Sequence, residues 1–199
     1  MERALGRVTQ PDLRAALDKL DAWRRAGGHR RDLNKDGTYD DNDAVVLMDA
    51  WWPKLVDAEF HPALGDDALG ALRTMLPFGE ERGTDPYAPD FEAGWYGQVN
   101  KDLRDLFTPK QVRGRYSRVY CGNGSKTRCR SAILQSLADA LAVTPAELYG
   151  HGDCASSPTP YCFDKNRFTT ASAIANDPML FQNRPTFQQA VEIPRSMPR

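Results

Sequence analysis

The sequence has no run of about eighteen consecutive apolar residues, so we expect no membrane-spanning helix. The N-terminus begins Met1-Glu2-Arg3 and has no apolar stretch behind it, which predicts that this chain carries no signal peptide of its own. No serine lies in a Gly-x-Ser-x-Gly elbow, and no glycine-rich phosphate loop is present. These absences argue against a membrane protein, an α/β-hydrolase and a nucleotide-binding enzyme.

Net charge is also nearly absent, because 26 basic residues face 27 acidic ones in 199 residues, for a total of −1. The two signs are nevertheless segregated along the chain. Residues 32–67 hold ten acids and two bases, and residues 101–130 hold nine bases and two acids. Each block therefore has its own ligand, or the two neutralise each other or a neighbouring segment. An apolar fraction of 41% is enough for a core.

Cysteine is scarce, and its four copies repeat one spacing. Cys121 and Cys129 enclose seven residues, as do Cys154 and Cys162. Paired zinc ligands usually enclose two to four residues, so a site made of all four fits poorly. We expect two local disulfides, Cys121–Cys129 and Cys154–Cys162, in preference to free thiols or the other two connectivities. Disulfides predict an exported protein, extracellular or periplasmic, and the lack of a leader then suggests the tail of a longer precursor.

The strongest chemical motif is the acidic loop, residues 32–43. Its order of oxygen-bearing side chains matches the twelve-residue calcium loop, and Gly37 stands at position six, where the chain turns sharply. Calcium takes six to eight hard oxygen ligands, and this order wraps them around one point. The predicted calcium ligands, at positions one, three, five, seven (a backbone carbonyl), nine and twelve, are Asp32, Asn34, Asp36, Thr38, Asp40 and Asp43.

Two departures qualify this match. Position twelve is Asp43 where Glu is usual, and residues 27–31 separate the loop from the preceding helical pattern. This form is similar to dockerin-type loops, in which only the following helix abuts the loop. The alternative is an ordinary surface turn rich in Asp, Asn and Gly. With a single loop present, we expect a structural calcium ion and not a sensor.

Helical periodicity dominates the remainder. Thr9 is the predicted N-cap of a first helix that ends at Gly27-Gly28. Capping and breaker residues predict further helices over about 41–52, ended or kinked by Pro53, then over 66–76, 95–107 and 127–141. Thr144-Pro145-Ala146-Glu147 forms a capping box before a short helix. Residues 186–193 give the one convincing strand, with weaker extended candidates near 116–120.

Other candidate sites have simpler explanations. Residues 110–130 are basic and contain two tyrosines, but a solvated or partner-facing surface is favoured over a single-stranded nucleic-acid site. His29, His61 and His151 lie apart, and we interpret them as surface histidines and not as catalytic residues. Trp51 and Trp52 are expected in the core and not on a sugar-binding platform.

Three stretches carry a resemblance to a known family. Residues 31–53 include the acidic loop and end Trp51-Trp52-Pro53, and residues 112–117 precede the Cys121–Cys129 loop. Residues 181–189 read Phe-Gln-Asn-Arg-Pro-Thr-Phe-Gln-Gln, and residues 182–189 are the most specific piece. Together and in this order they resemble the C-terminal end of the β-chain in the penicillin acylase (penicillin amidase) family, in exported members of actinobacterial type.

The resemblance implies an N-terminal-nucleophile hydrolase with an αββα core. Such enzymes are cleaved into two chains, and a serine at the new β-chain N-terminus attacks the linear amide of acylated amines such as β-lactams or acyl-homoserine lactones. This chain begins Met1-Glu2, so no catalytic residue can be assigned to it. The implied partners are the upstream part of the β-chain and the α-chain, with neither nucleic acid nor membrane.

We therefore predict a mainly α segment of residues 1–199 with irregular loops and one or few strands. Residues 9–77 form a helical region with the acidic loop, residues 94–150 form one with the disulfide loop 121–129, and residues 151–199 are loop ending in the strand. The expected function is a scaffold portion of a penicillin-acylase-like amidohydrolase. The alternative is a free-standing extracellular calcium-binding interaction module of dockerin-like loop type.

Overall fold

The structure, a computed structural model, describes residues 5, 8–74, 96–108, 118–150, 152–166 and 179–180. These ranges are mainly helical, which confirms the predicted mainly α class. The described α-helices are α1 (Pro11–Arg25), α2 (Asn42–Thr74), α3 (Tyr96–Phe107), α4 (Lys126–Leu141), α5 (Pro145–Tyr149) and α6 (Pro160–Asp164). Short 3-10 turns cover Cys121–Gly124 and Gly152–Cys154.

Helix α1 begins one residue later than its sequence suggests. The N-cap is Gln10, in extended conformation and without a side-chain cap hydrogen bond, so the prediction of Thr9 as N-cap is wrong. Pro11 occupies the first turn, where its missing N–H costs no helical hydrogen bond. The predicted end is confirmed, because Gly27 and Gly28 both have positive φ and the Gly28 N–H donates to the Trp23 carbonyl.

Helix α2 continues through the proline predicted to end or kink it. Backbone angles stay helical at Pro53 and Pro62 and leave the helical region only at Gly65, with φ of 71°. The residues around Pro53, including Trp51, Leu55 and Val56, are almost fully buried. Their burial outweighs the roughly 3 kcal/mol that an internal proline costs a helix. The break at Gly65 coincides with the predicted start of a separate helix at 66.

The core lies between α2 and α4, with α1 contacting both. Trp51 and Trp52 are buried there, which confirms their core assignment. The Trp51 indole N–H donates to Ser136 Oγ at 3.0 Å, and Ser136 donates in turn to the Ile133 carbonyl, so both buried polar groups have partners.

Helix α4, predicted over 127–141, has four large apolar residues at helical spacing, and not all of them are buried. Ile133 and Leu137 are fully buried and Leu134 is partly buried, but Leu141 is 45% exposed because the buried face of α4 ends one residue earlier, at Ala140.

The C-terminal region contains more structure than the predicted loop. Helix α6 is followed by β1 (Lys165–Asn166), which pairs antiparallel with β2 (Met179–Leu180) in the register Lys165↔Leu180. Residues 118–120 form no strand, and the rest of the 116–120 candidate lies outside the described residues. The predicted strand over 186–193 also lies outside them.

Candidate functional site

The acidic loop makes the sharp turn that its sequence predicts. Gly37, at position six, has φ of 84°, a left-handed conformation that favours glycine. Lys35 also has a positive φ, of 62°. Two left-handed residues within three positions turn the chain tightly.

Backbone amides inside the turn hold the first three predicted calcium ligands. The Asp36 N–H donates to Asp32 Oδ1 at 3.0 Å, and the Gly37 N–H donates to Asp32 Oδ2 at 2.9 Å. The Thr38 N–H donates to Asp36 Oδ1 at 2.9 Å, and the side-chain amide of Asn34 donates to Asp36 Oδ2 at 2.9 Å. Each carboxylate oxygen can accept more than one hydrogen bond or ligand contact. Asp32, Asn34 and Asp36 are therefore gathered at the turn with acceptor capacity remaining.

The last two predicted ligands behave differently from each other. The Asp40 N–H donates to the Arg31 carbonyl at 2.8 Å and closes the loop at its neck, and Asp40 Oδ1 lies 3.4 Å from the Leu33 amide. Asp43, in the first turn of α2, instead accepts a hydrogen bond from Lys19 of α1 at 3.0 Å and is 78% exposed. Position twelve is therefore engaged outside the loop.

The donor set fits a hard cation in part. Asp32, Asn34, Asp36 and Asp40 all make hydrogen bonds within the loop, and oxygen donors of this kind suit calcium. Across the described residues, however, no group of three or more His, Cys, Asp or Glu side chains is arranged to hold a metal ion. To occupy the twelfth ligand position, the Asp43 carboxylate has to release Lys19 and turn toward the loop.

A buried ionic cluster lies directly behind the loop, and we call it the Arg30 cluster. Arg30 Nη1 donates to Asp164 Oδ2 at 2.6 Å, and its other terminal nitrogen pairs with Asp49. The Tyr39 hydroxyl donates to Asp164 Oδ2 at 2.9 Å, and the Tyr149 hydroxyl donates to Asp49 Oδ2 at 2.7 Å. The cluster joins the loop neck, α2, α5 and α6 through one guanidinium.

The charges of the Arg30 cluster perturb one another. Burial raises the pKa of Asp164 to about 6, although Arg30 opposes the change. Burial also raises the pKa of Asp49, against the attraction of Arg30. Burial acts to lower the pKa of Arg30, but Asp49 and Asp164 outweigh it and raise that pKa above its usual range. Burial together with the adjacent carboxylates raises the pKa of both tyrosines. The cluster holds one cation between two carboxyl groups.

A second buried acidic pair lies in the core, away from the loop. Asp102 of α3 accepts hydrogen bonds from the Tyr120 and Cys121 amides, both at 2.7 Å, and so fixes the start of the first disulfide loop. Glu59 of α2 has no exposed surface, and among the described residues neither of its carboxylate oxygens has a hydrogen-bond partner. Burial, with a further contribution from the charge of Asp102, raises the pKa of Glu59 to about 9.

Both predicted disulfides are present. Cys121–Cys129 and Cys154–Cys162 join cysteines with Cα atoms 5.0 Å and 5.8 Å apart. In the first, Gly122 has φ of 57°, and a Cβ there would lie 2.4 Å from the Cys129 amide nitrogen. The glycine is therefore required by the close approach of the two ends of the loop.

Sequence reasoning found the loop and the disulfides but missed the buried charges. No motif marks Arg30, Asp49 or Asp164, which are brought together by the fold from three distant positions. One sequence signal was available. Asp49 lies within the mostly apolar stretch 44–56, and an aspartate in such a stretch is costly to bury unless it has a partner.

Of the basic stretch, residues 118–130 are described, and Arg118 lies over the Tyr120 ring at 5.2 Å.

Comparison of the chain with protein-family models, with curated protein sequences and with solved structures finds no match. None of the helices in the described part of the chain is both long enough and apolar enough to cross a membrane.

Proposed function

We propose that this chain is a scaffold portion of an exported, penicillin-acylase-like amidohydrolase, in which residues 32–43 hold a structural calcium ion. The single observation that carries the calcium role is the set of backbone amides that hold Asp32, Asn34 and Asp36 at one turn. Bound calcium would supply a positive charge at this acidic turn and join the loop to α2.

A structural role is supported by the way the notable polar groups are used. Arg30, Asp49 and Asp164 are occupied with one another and with tyrosine hydroxyls behind the loop. All four cysteines are in disulfides, which leaves no free thiol as a nucleophile. Disulfides also agree with an extracellular or periplasmic location.

The family assignment is supported by the sequence motifs, and by residues 182–189 above all. Its test is the DNA that precedes the codon of Met1. The proposal predicts a continuous reading frame that encodes an acylase α-chain and a β-chain beginning with serine. It also predicts that the isolated chain does not hydrolyse a chromogenic phenylacetyl or long-chain acyl amide. Hydrolysis that is lost in a Ser→Ala variant of this chain would overturn the scaffold role.

A free-standing calcium-binding module is the second candidate, and one observation favours it. In the described ranges the large apolar residues with high exposure are only Leu33 and Leu141, so this part of the core is covered by the chain itself. A covered core allows autonomous folding. Cooperative unfolding of the isolated chain would favour the module, and an upstream acylase frame would exclude it.

Calcium should stabilise the protein through the loop. Extracellular calcium modules have dissociation constants of about 0.1–1 mM, so 10 mM calcium should add roughly 1.4–2.7 kcal/mol to the unfolding free energy. We expect Asp36→Asn to abolish this gain, measured by thermal unfolding with and without EDTA. Asp67→Asn is the matched control, since it removes the same charge from an exposed site on α2 and should keep the gain. An equal calcium response in the Asp36 variant would contradict the site.

A further inference from the structure

Helix α6 connects the second disulfide to the acidic loop. Cys162 lies within the helix, and Asp164, two residues later, belongs to the Arg30 cluster. The disulfide therefore anchors the middle of a short helix whose C-terminal residue contacts the loop neck.

The contact between α6 and the loop has an apolar and an ionic part. The Tyr161 ring meets the Tyr39 ring edge-on, with centroids 5.5 Å apart, and Tyr161 also lies against Gly37, where an added Cβ would be 3.9 Å from the ring. Asp164, which is 1% exposed, accepts from Tyr39 and Arg30 at 2.9 and 2.6 Å. Both sides of the loop, its turn and its neck, thus rest on α6.

Helix α6 has further contacts besides those with the loop, among them the buried Pro160 and a hydrogen bond from the Cys162 N–H to Thr159 Oγ1 at 3.1 Å. It has only five residues, which is too short for a helix to be stable without tertiary contacts. Its order depends on Phe163 packing against Tyr149 (ring centroids 5.7 Å apart), on the Asp164 contacts and on the disulfide. Closing the Cys154–Cys162 loop removes conformational freedom that the open chain would otherwise regain.

The two disulfides also differ in access. Cys121 and Cys129 have no exposed surface, and their bond lies in the core beside α4. In the second disulfide Cys154 is buried, with 7% of its surface exposed, but Cys162 is only partly buried, so a reductant reaches this bond first, through Cys162.

We propose that the Cys154–Cys162 disulfide is a redox-sensitive clamp on the acidic loop. While the bond is closed, α6 holds the loop through Tyr161 and Asp164. When a dithiol reduces it, the S–S bond breaks, each sulfur gains one electron and one proton, and the dithiol is oxidised to its cyclic disulfide. Helix α6 then separates from the loop, which loses its order while the core stays folded. This inference does not depend on calcium binding.

Hydrogen exchange measured by mass spectrometry in EDTA tests the clamp on the full chain. We expect the Cys154→Ser/Cys162→Ser variant to exchange amides of residues 30–43 at least tenfold faster than the oxidised wild type. Amides of α4 serve as the internal control and should keep their protection. Unchanged exchange in residues 30–43 would overturn the proposal.

A second variant covers the case in which α4 also loses protection because the cysteine variant unfolds. Asp164→Asn keeps the disulfide and removes only the charge that Arg30 and Tyr39 contact. It should speed exchange of residues 30–43 at least threefold and leave α4 unchanged, and the absence of this effect would also overturn the clamp. Repeating the series with 10 mM calcium separates the two proposals, because a loop that ignores calcium but follows the disulfide contradicts only the calcium site.

Discussion

We expect Arg30→Met to lower the unfolding free energy by about 3–5 kcal/mol at pH 7. The guanidinium is the cation of a cluster that also contains Asp49 and Asp164, and its side chain is only 17% exposed. Removing one partner of a buried ion pair leaves the other charge desolvated and unpaired. In this cluster two carboxylates are left together, and they also repel each other.

The loss should depend on pH in a definite direction. Burial raises the pKa of Asp164 to about 6 even with Arg30 present, so protonation at pH 5 removes much of the repulsion that the variant suffers. The deficit of Arg30→Met should therefore be larger at pH 8 than at pH 5. Urea unfolding at both values, followed by tryptophan fluorescence, measures it.

An exposed arginine provides the matched control. Arg24 pairs with Asp21 on the surface of α1 and is 68% exposed, so Arg24→Met should change the unfolding free energy by no more than about 0.5 kcal/mol. Arg30→Lys should recover only part of the loss, because one ammonium cannot reproduce the two-sided contact of a guanidinium. A cost below about 1 kcal/mol for Arg30→Met would show that the cluster is not a stabilising centre.

Features with a local physical cause were predictable from the sequence. The Thr144 capping box forms as predicted, with the Glu147 N–H donating to Thr144 Oγ1 and the Thr144 N–H donating to Glu147 Oε2. Both disulfides close short loops, and the Gly37 turn follows from glycine's access to positive φ. In each case the residues that determine the structure lie within about ten positions of one another.

Features that depend on tertiary packing were not predictable in this way. Local rules place a helix boundary at Pro53, yet the burial of α2 against α4 carries the helix through it. The Arg30 cluster joins residues separated by 19 and 134 positions, and a single sequence does not show which distant residues will pair. In the candidate site, the loop is therefore determined by residues close in sequence, and the Arg30 cluster that supports it is determined by tertiary packing.

We expect the wild-type protein to lose stability as the pH rises from about 6.5 to 9, and Glu59 to be the cause. Its carboxyl group is fully buried with no hydrogen-bond partner in the described part of the chain, and its pKa is raised to about 9 by burial and by Asp102. In the unfolded chain the pKa lies near 4.5. Between these values the native state binds one proton more than the unfolded state, so the unfolding free energy falls by about 1.4 kcal/mol per pH unit.

This window separates Glu59 from Asp164, Asp21 and Glu147. The contribution of Asp164 has the same sign, but it is complete by about pH 6. Hydrogen bonds from Arg24 lower the pKa of Asp21, and backbone and side-chain hydrogen bonds from Thr144 lower that of Glu147. Those two groups therefore add stability that is lost only in acid.

Glu59→Gln should remove the decline, because an amide does not titrate. At pH 8 the variant should be more stable than the wild type by about 4–5 kcal/mol, and at pH 4.5 the two should be nearly equal. Glu59→Met tests whether any neutral side chain of similar size removes the decline. Asp67 is an exposed acid on the same helix, so Asp67→Asn should retain the wild-type slope of unfolding free energy against pH. The measurement is urea unfolding at half-unit pH steps, and parallel curves for wild type and Glu59→Gln would exclude a neutral buried Glu59.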